Sequence, residues 1–166
     1  MSVLEPVLES LTAAGVRFVV VGGVAVVLQG HPRFTADLDL IVDLEPEQAL
    51  RAIDALVRLG MQPRAPVDPR MFANTEMRRS WVEQKGMRVF TMWDPGDPLR
   101  EVDLFVEHPI PFEEVWDRAD VITLSSGTVR VASIADLIAL KRLAGRPEDH
   151  LDIEALEAIA EERRRG

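Results

Sequence analysis

The sequence predicts an α+β domain: a short mixed β-sheet with flanking helices and a helical pair at its C-terminal end. Three observations carry this. VRFVVV (16–21) and DLDLIVD (37–43) are β-rich runs of strand length, the first continuous enough to be buried on both faces. Helical spacing of apolar residues precedes and follows them, at 3–14 and 46–59. Beyond one last strand, TVRVA (128–132), the chain reads as helix to its end. At 166 residues the chain is expected to form a single domain, 1–166. Its core would span about 1–132 and its C-terminal helices about 133–166, and it is long enough to bury roughly two thirds of its unfolded surface.

Taken in order, Val3, Leu4, Val7, Leu8 and Leu11 give the first helix its apolar stripe, and Gly15 closes it. Gly22-Gly23 breaks the first strand, and VAVVLQG (24–30) reads as a short helix ending at Gly30. The helix over 46–59 takes Pro46 in its first turn. The proline-rich region 60–86 is expected to be a loop with a short helix. MRVFTMW (87–93) and EVDLFVE (101–107) read as strands joined by the turn-rich DPGDP. A helix is expected over about 111–119. Ser133, three residues before Asp136, is placed as the N-cap of a helix to about Leu143. GRP (145–147) separates that helix from the last one, which ends in a basic tail.

Composition narrows the function. Cysteine is absent, which excludes disulfides and thiolate metal sites. The start carries Glu5 and Glu9 and no basic segment, so no signal peptide is expected. The apolar run Phe18–Leu28 falls short of the roughly 18 residues of a membrane span. The expectation is a cytoplasmic protein with no membrane partner. The net charge of −9 argues against indiscriminate binding of polyanions, although Arg70, Arg78, Arg79, Lys85 and Arg88 outnumber Glu76 and Glu83 in one stretch. His31, His108 and His150 lack the spacing of zinc ligands, and Ser125-Ser126-Gly127 reads as a hairpin turn. Trp81, Trp93 and Trp116 read as core or cleft walls.

The feature that calls for explanation is Asp37 and Asp39 inside an otherwise apolar strand. Strand side chains alternate, so both carboxylates leave one face while Leu38, Leu40 and Val42 enter the core from the other. Alone, such a pair reads as the wet face of an edge strand. Its neighbourhood points elsewhere. Gly22-Gly23 lies at a strand-to-helix junction, where backbone amides can cradle phosphate, and Asp103 supplies a third acid on a later strand. Carboxylates held side by side repel, and a hard divalent cation, Mg²⁺ or Mn²⁺, removes the conflict. Amides for phosphate and carboxylates for metal are what a magnesium-bound triphosphate requires.

Gly22-Gly23, Asp37-Leu38-Asp39-Leu40 and Val102-Asp103-Leu104, in this order, resemble the signature of the DNA polymerase β-like nucleotidyltransferases. GGVAVVLQGHPRFTADLDLIVD and VASIADLIALKRLAGRPEDHLDIEAL further resemble the small bacterial nucleotidyltransferases that include abortive-infection (AbiE-type) toxins. The resemblance implies that Asp37, Asp39 and Asp103 bind two magnesium ions, with Asp103 also activating the acceptor hydroxyl. It implies that Gly22 and Gly23 hold the phosphates of an NTP, with Arg33 and Thr35 as further contacts. It places Lys141 by the nucleotide as a catalytic residue, with Arg146, Asp149 and Asp152 in the motif that follows. Spacing alone equally describes Lys141 and Asp149 as an ordinary inter-helix salt bridge.

The expected activity is Mg²⁺-dependent transfer of an NMP from an NTP to an acceptor hydroxyl on RNA (such as a tRNA end), on a protein or on a small molecule. An antitoxin protein would be the partner if the chain is a toxin. Two other readings share these motifs: an aminoglycoside-type nucleotidyltransferase, and a member that binds nucleotide or a partner without turnover.

Overall fold

The computed structural model describes residues 3–166. Among these, seven α-helices surround one seven-stranded sheet. The strands are β1 (Phe18–Val21), β2 (Leu38–Val42), β3 (Gln62–Pro63), β4 (Val89–Asp94), β5 (Asp97–Phe105), β6 (Asp120–Leu124) and β7 (Gly127–Val131). Their order is β3-β4-β5-β2-β1-β7-β6, and the sheet is mixed: β1 runs antiparallel to β2, while β2–β5 and β1–β7 are parallel pairs. The helices are α1 (Glu5–Ala13), α2 (Gly22–Leu28), α3 (Pro46–Arg58), α4 (Thr75–Lys85), α5 (Phe112–Arg118), α6 (Ile134–Ala144) and α7 (His150–Arg165).

The apolar runs occupy the centre of the sheet. All four residues of β1 are buried, as are Leu38, Leu40, Ile41 and Val42 of β2. On β4 and β5 the alternation is clean: Phe90, Met92, Val102 and Leu104 enter the core, which leaves Thr91 and Asp103 on the other face. α3 covers the core face with Ala49, Ala52, Ile53 and Leu56, and its N-cap Glu45 accepts the Gln48 backbone N–H.

The region 60–86 is more ordered than its prolines suggest. It contains β3, a 3-10 turn (Pro69–Ala73) and an eleven-residue α4. Asn74 caps α4 by accepting the Met77 N–H. Trp81 stacks on Phe90 at 5.2 Å and Phe72 lies 5.6 Å from the same ring. Only Arg78 and Trp81 of α4 are buried, so the helix carries too few apolar positions to announce its period. Arg78 spans the gap by donating to the carbonyl oxygens of Phe72 and Leu44. The basic stretch is largely engaged: Arg70 pairs with Asp54 and Arg79 with Glu76.

β6, which the sequence did not suggest, pairs with β7 through the turn at Ser125-Ser126. As an edge strand with no buried residue it has no apolar alternation to read. The C-terminal helical pair forms as expected. Ser133 accepts the Asp136 N–H, and Gly145, at φ +63°, ends α6 in the left-handed conformation that turns the chain back into α7. Among the described residues, no helix is long and apolar enough to cross a membrane.

Candidate active site

The sheet register sets one row of residues side by side. Val21 lies opposite Asp39, Asp39 beside Asp103, and Asp103 opposite Thr91. Arg64 extends the row, donating its backbone N–H to the Thr91 carbonyl oxygen over 2.9 Å. At one end β1 passes directly into α2 at Gly22, so the helix start and the acids of β2 and β5 meet. Gly22 has φ +68°, and a Cβ there would stand 2.1 Å from Asp39 Oδ2. A Cβ on Gly23 would meet the Thr35 hydroxyl at 2.4 Å. Both glycines are needed because the site's own side chains lie against the backbone.

Asp37 immediately precedes β2 and shares the Asp39 face, as strand parity requires. The acids crowd one another. Burial pushes the Asp39 carboxyl up to about 7, reinforced by the Asp103 and Asp37 charges. Burial, then the Asp103 and Glu101 charges, raise Asp37. Burial also raises Asp103, against the hydroxyl of Thr91, which donates to Asp103 Oδ1 over 2.6 Å.

Facing the acids is a cluster of cations. Lys141 on α6 is buried, with its Nζ 3.2 Å from Asp149 Oδ1 and 2.9 Å from Asp152 Oδ2. Arg33 donates to Asp152 over 2.8 Å, and Arg146 to Asp149 over 3.0 Å. Burial would raise both aspartates. Hydrogen bonds from Arg146 and Lys141 to Asp149, and from Lys141 and Arg33 to Asp152, outweigh it and hold both below the usual carboxylate range. Three cations thus converge on Asp149 and Asp152, with Glu148 as an outer partner 3.9 Å from Arg146.

Two adjoining clefts meet at Asp39. A small polar one of about 290 Å³ is lined by Gly22, Gly23, Arg33, Thr35, Asp37, Asp39, Lys141 and Arg146. A larger one of about 760 Å³ adds Asp103, Phe105, Glu107 and Arg88, with apolar walls from α4 and α6. The eleven residues singled out in the sequence therefore divide. Nine line a cleft, whereas Asp149 and Asp152 line neither and stand behind Lys141, Arg146 and Arg33. The Lys141 pair is also no exposed surface bridge, since both partners are buried.

Sequence reasoning missed Thr91, Glu101 and Arg64. Glu101 accepts from Arg64 Nε over 3.3 Å, and its charge helps to raise Asp37. Its signal was its position two residues before Asp103, on the same strand face. Thr91 and Arg64 had no signal, because their roles follow from strand pairing.

The donor set suits a hard divalent cation: crowded carboxylates with raised proton affinity are what such an ion relieves. Among the described residues no three acidic or histidine side chains are arranged to hold a metal as they stand. The fit is therefore one of ligand type rather than of a preformed cage.

Comparisons with known proteins bear on the fold and the family. Two solved structures share the fold. The antibiotic-resistance factor ANT(2'')-Ia superposes with a TM-score of 0.56 at 15% identity, over 97% of this chain and 82% of that one. An antigenic nucleotidyltransferase-like protein from Paracoccidioides brasiliensis superposes with a TM-score of 0.54 at 18% identity, over 94% of this chain and 73% of that one. No curated protein sequence matches. The family described as nucleotidyl transferase AbiEii toxin, type IV toxin–antitoxin system, matches residues 7–155, the greater part of the chain and all of the row and cation cluster described above. The protein is thus an enzyme of the nucleotidyltransferase class, and it belongs to the AbiEii toxin family.

Proposed function

We propose that the protein transfers an NMP from an NTP to an acceptor hydroxyl in a Mg²⁺- or Mn²⁺-dependent reaction, as the toxin of a pair whose antitoxin is its protein partner. The observation that carries this is the row Val21–Asp39–Asp103, with Gly22 packed against Asp39 and a polar cleft holding three cations beside it. The triphosphate lies along Gly22, Gly23 and Thr35, its charge met by Arg33, Lys141 and Arg146. Asp149 and Asp152 are positioning residues that fix those cations rather than touch nucleotide.

Asp37, Asp39 and Asp103 would hold the divalent cation, which when bound neutralises the triphosphate and polarises its α-phosphoryl group. The acceptor oxygen forms a bond to the α-phosphorus, the bond to pyrophosphate breaks, and the hydroxyl proton passes to the Asp103 carboxylate. Asp103, fixed by Thr91, orients that hydroxyl. Lys141 and Arg146 stabilise charge on the departing pyrophosphate.

The test is incubation with each NTP labelled at its α-phosphate, Mg²⁺, and RNA, the protein alone or an aminoglycoside. Label should move to one acceptor and be lost with EDTA and in Asp39→Asn. Release of the γ-phosphate without transfer of the α-phosphate would refute the reading.

A further inference from the structure

The loop between α2 and β2 supplies Arg33, Thr35 and Asp37 to the small polar cleft, yet it forms no helix or strand of its own. His31 still donates its N–H back to the Val26 carbonyl oxygen of α2 over 3.1 Å. Over residues 32–36 no backbone–backbone hydrogen bond holds the chain among the described residues. What lies along this loop is α7. Asp152 accepts from Arg33 over 2.8 Å, with His31 at 3.9 Å, and Ile159 Cδ1 lies 3.6 Å from the place of a Gly30 Cβ. Arg163, near the other end of α7, donates from Nη1 to Gln29 Oε1 and from Nη2 to the Gln29 carbonyl oxygen, each over 3.0 Å. The helix thus follows the loop from Arg33 back to Gln29, along about 16 Å of its own length.

Polar ties set the position of α7, because only Asp152 and Leu156 of its sixteen residues are buried. Gln29 is a firm anchor for the far tie. It is buried, and its amide nitrogen donates to Asp120 Oδ2 of β6 over 2.8 Å and to the Ala132 carbonyl oxygen over 2.9 Å. Its own carbonyl oxygen stands at the end of α2, where a helix leaves acceptors without intrahelical partners. Arg164 and Arg165 both turn to Glu161. Arg163 has no carboxylate partner among the described residues and directs its planar fork at the two oxygens of Gln29.

We infer that Arg163 is a positioning residue for nucleotide binding: paired with Gln29, it pins α7 along the α2–β2 loop, so that Asp152 holds Arg33 at the polar cleft. Arg163 and Gln29 themselves line neither cleft. The inference rests on the proposed transfer reading, in which Arg33 meets the triphosphate. Without the pair, α7 keeps Leu156 and the bridges to Lys141 but loses its far anchor, and Arg33 leaves the phosphate position for part of the time. Apparent nucleotide affinity then falls in proportion to the fraction of molecules with Arg33 in place.

The test measures Kd and stoichiometry for N-methylanthraniloyl-labelled ATP, CTP, GTP and UTP, each with Mg²⁺, alongside amide order parameters from ¹⁵N relaxation without nucleotide. Arg163→Met keeps the aliphatic stem and removes the fork. It should raise Kd several-fold at unchanged stoichiometry and lower the order parameters of residues 33–36 from about 0.85 toward about 0.6. A structural role alone would lower the fraction of protein that binds and leave the Kd of the rest as it was. Arg163→Lys, which keeps the charge without the fork, should lie between the two. Added to Arg33→Ala, Arg163→Met should weaken binding no further, since the tie acts through Arg33. Order parameters unchanged in Arg163→Met would overturn the inference, as would a loss of affinity that adds in full to that of Arg33→Ala. If the order parameters fall but Arg33→Ala binds nucleotide like wild type, the tie stands and the reading of Arg33 as a triphosphate contact is refuted instead.

Discussion

Gly22 lies so close to Asp39 that the two positions cannot both carry a side chain where they stand: a Cβ at Gly22 would be 2.1 Å from Asp39 Oδ2. Gly22→Ala must also adopt φ +68°, which costs a non-glycine residue about 1–2 kcal/mol before any contact is counted. Displacing Asp39 adds to that and moves the central acid of the row. Urea denaturation should show a loss of at least about 1–2 kcal/mol, and transfer should fall below detection. A variant of wild-type stability and activity would mean that Asp39 does not need its observed position.

Asp39→Asn should stabilise the protein in the absence of metal, in a pH-dependent way. The native carboxyl titrates near 7 and the unfolded one near its ordinary value, so native Asp39 keeps its proton longer. Below the unfolded pKa both states are protonated and the term vanishes. As pH rises toward 7 the unfolded state ionises first, stability falls, and above 7 the deficit levels off at about 4 kcal/mol. Relative to wild type, the Asp39→Asn variant should therefore gain little at pH 4 and most at pH 8 by urea denaturation. Adding Mg²⁺ should narrow the difference, since the cation offsets the repulsion only where the carboxylate is present. An equal gain at both pH values would assign it to packing instead.

Lys141→Met should be costly to the fold as well as to transfer. The removed ammonium lies between two buried aspartates, and breaking a buried pair from one side costs about 3–5 kcal/mol. The melting temperature should fall by many degrees, with partial recovery in Lys141→Met combined with Asp149→Asn. A melting temperature that moved little would show that water reaches this cluster freely.

Thr91→Val separates orientation from folding. The valine has nearly the same shape but leaves Asp103 without its 2.6 Å hydroxyl donor. Expected is a loss of about 1–2 kcal/mol in transition-state binding, on the order of tenfold in kcat/KM, with little change in NTP affinity. Unchanged kcat/KM would show that Thr91 does not orient Asp103 for reaction.

The sequence was most informative where one face of an element is buried. Strand parity around Asp37, Asp39 and Asp103 could be read because Leu38, Leu40 and Leu104 fix the core side. The Ser133 cap and Gly145 likewise write α6 and its end into local chemistry. α4 escaped because two buried residues do not make a period, and β6 because an exposed edge strand has no pattern. Arg64 and Thr91 join the site through pairings between segments distant in the chain, which no local spacing encodes. The burial of Lys141 was equally hidden: charge spacing reveals that two groups can meet, not whether water reaches them.

Asp152, near the start of α7, is the counter-ion of Arg33 from the loop before β2, although 119 positions separate them along the chain. The acids and glycines leave the ribosome before the groups that hold Arg33 and Lys141 in place, which leave it among the last. A nascent chain halted before Asp149 would carry Asp37, Asp39 and Asp103 with Arg33 and Lys141 lacking these carboxylate partners. The cation cluster therefore becomes complete only once the start of α7 has been synthesised.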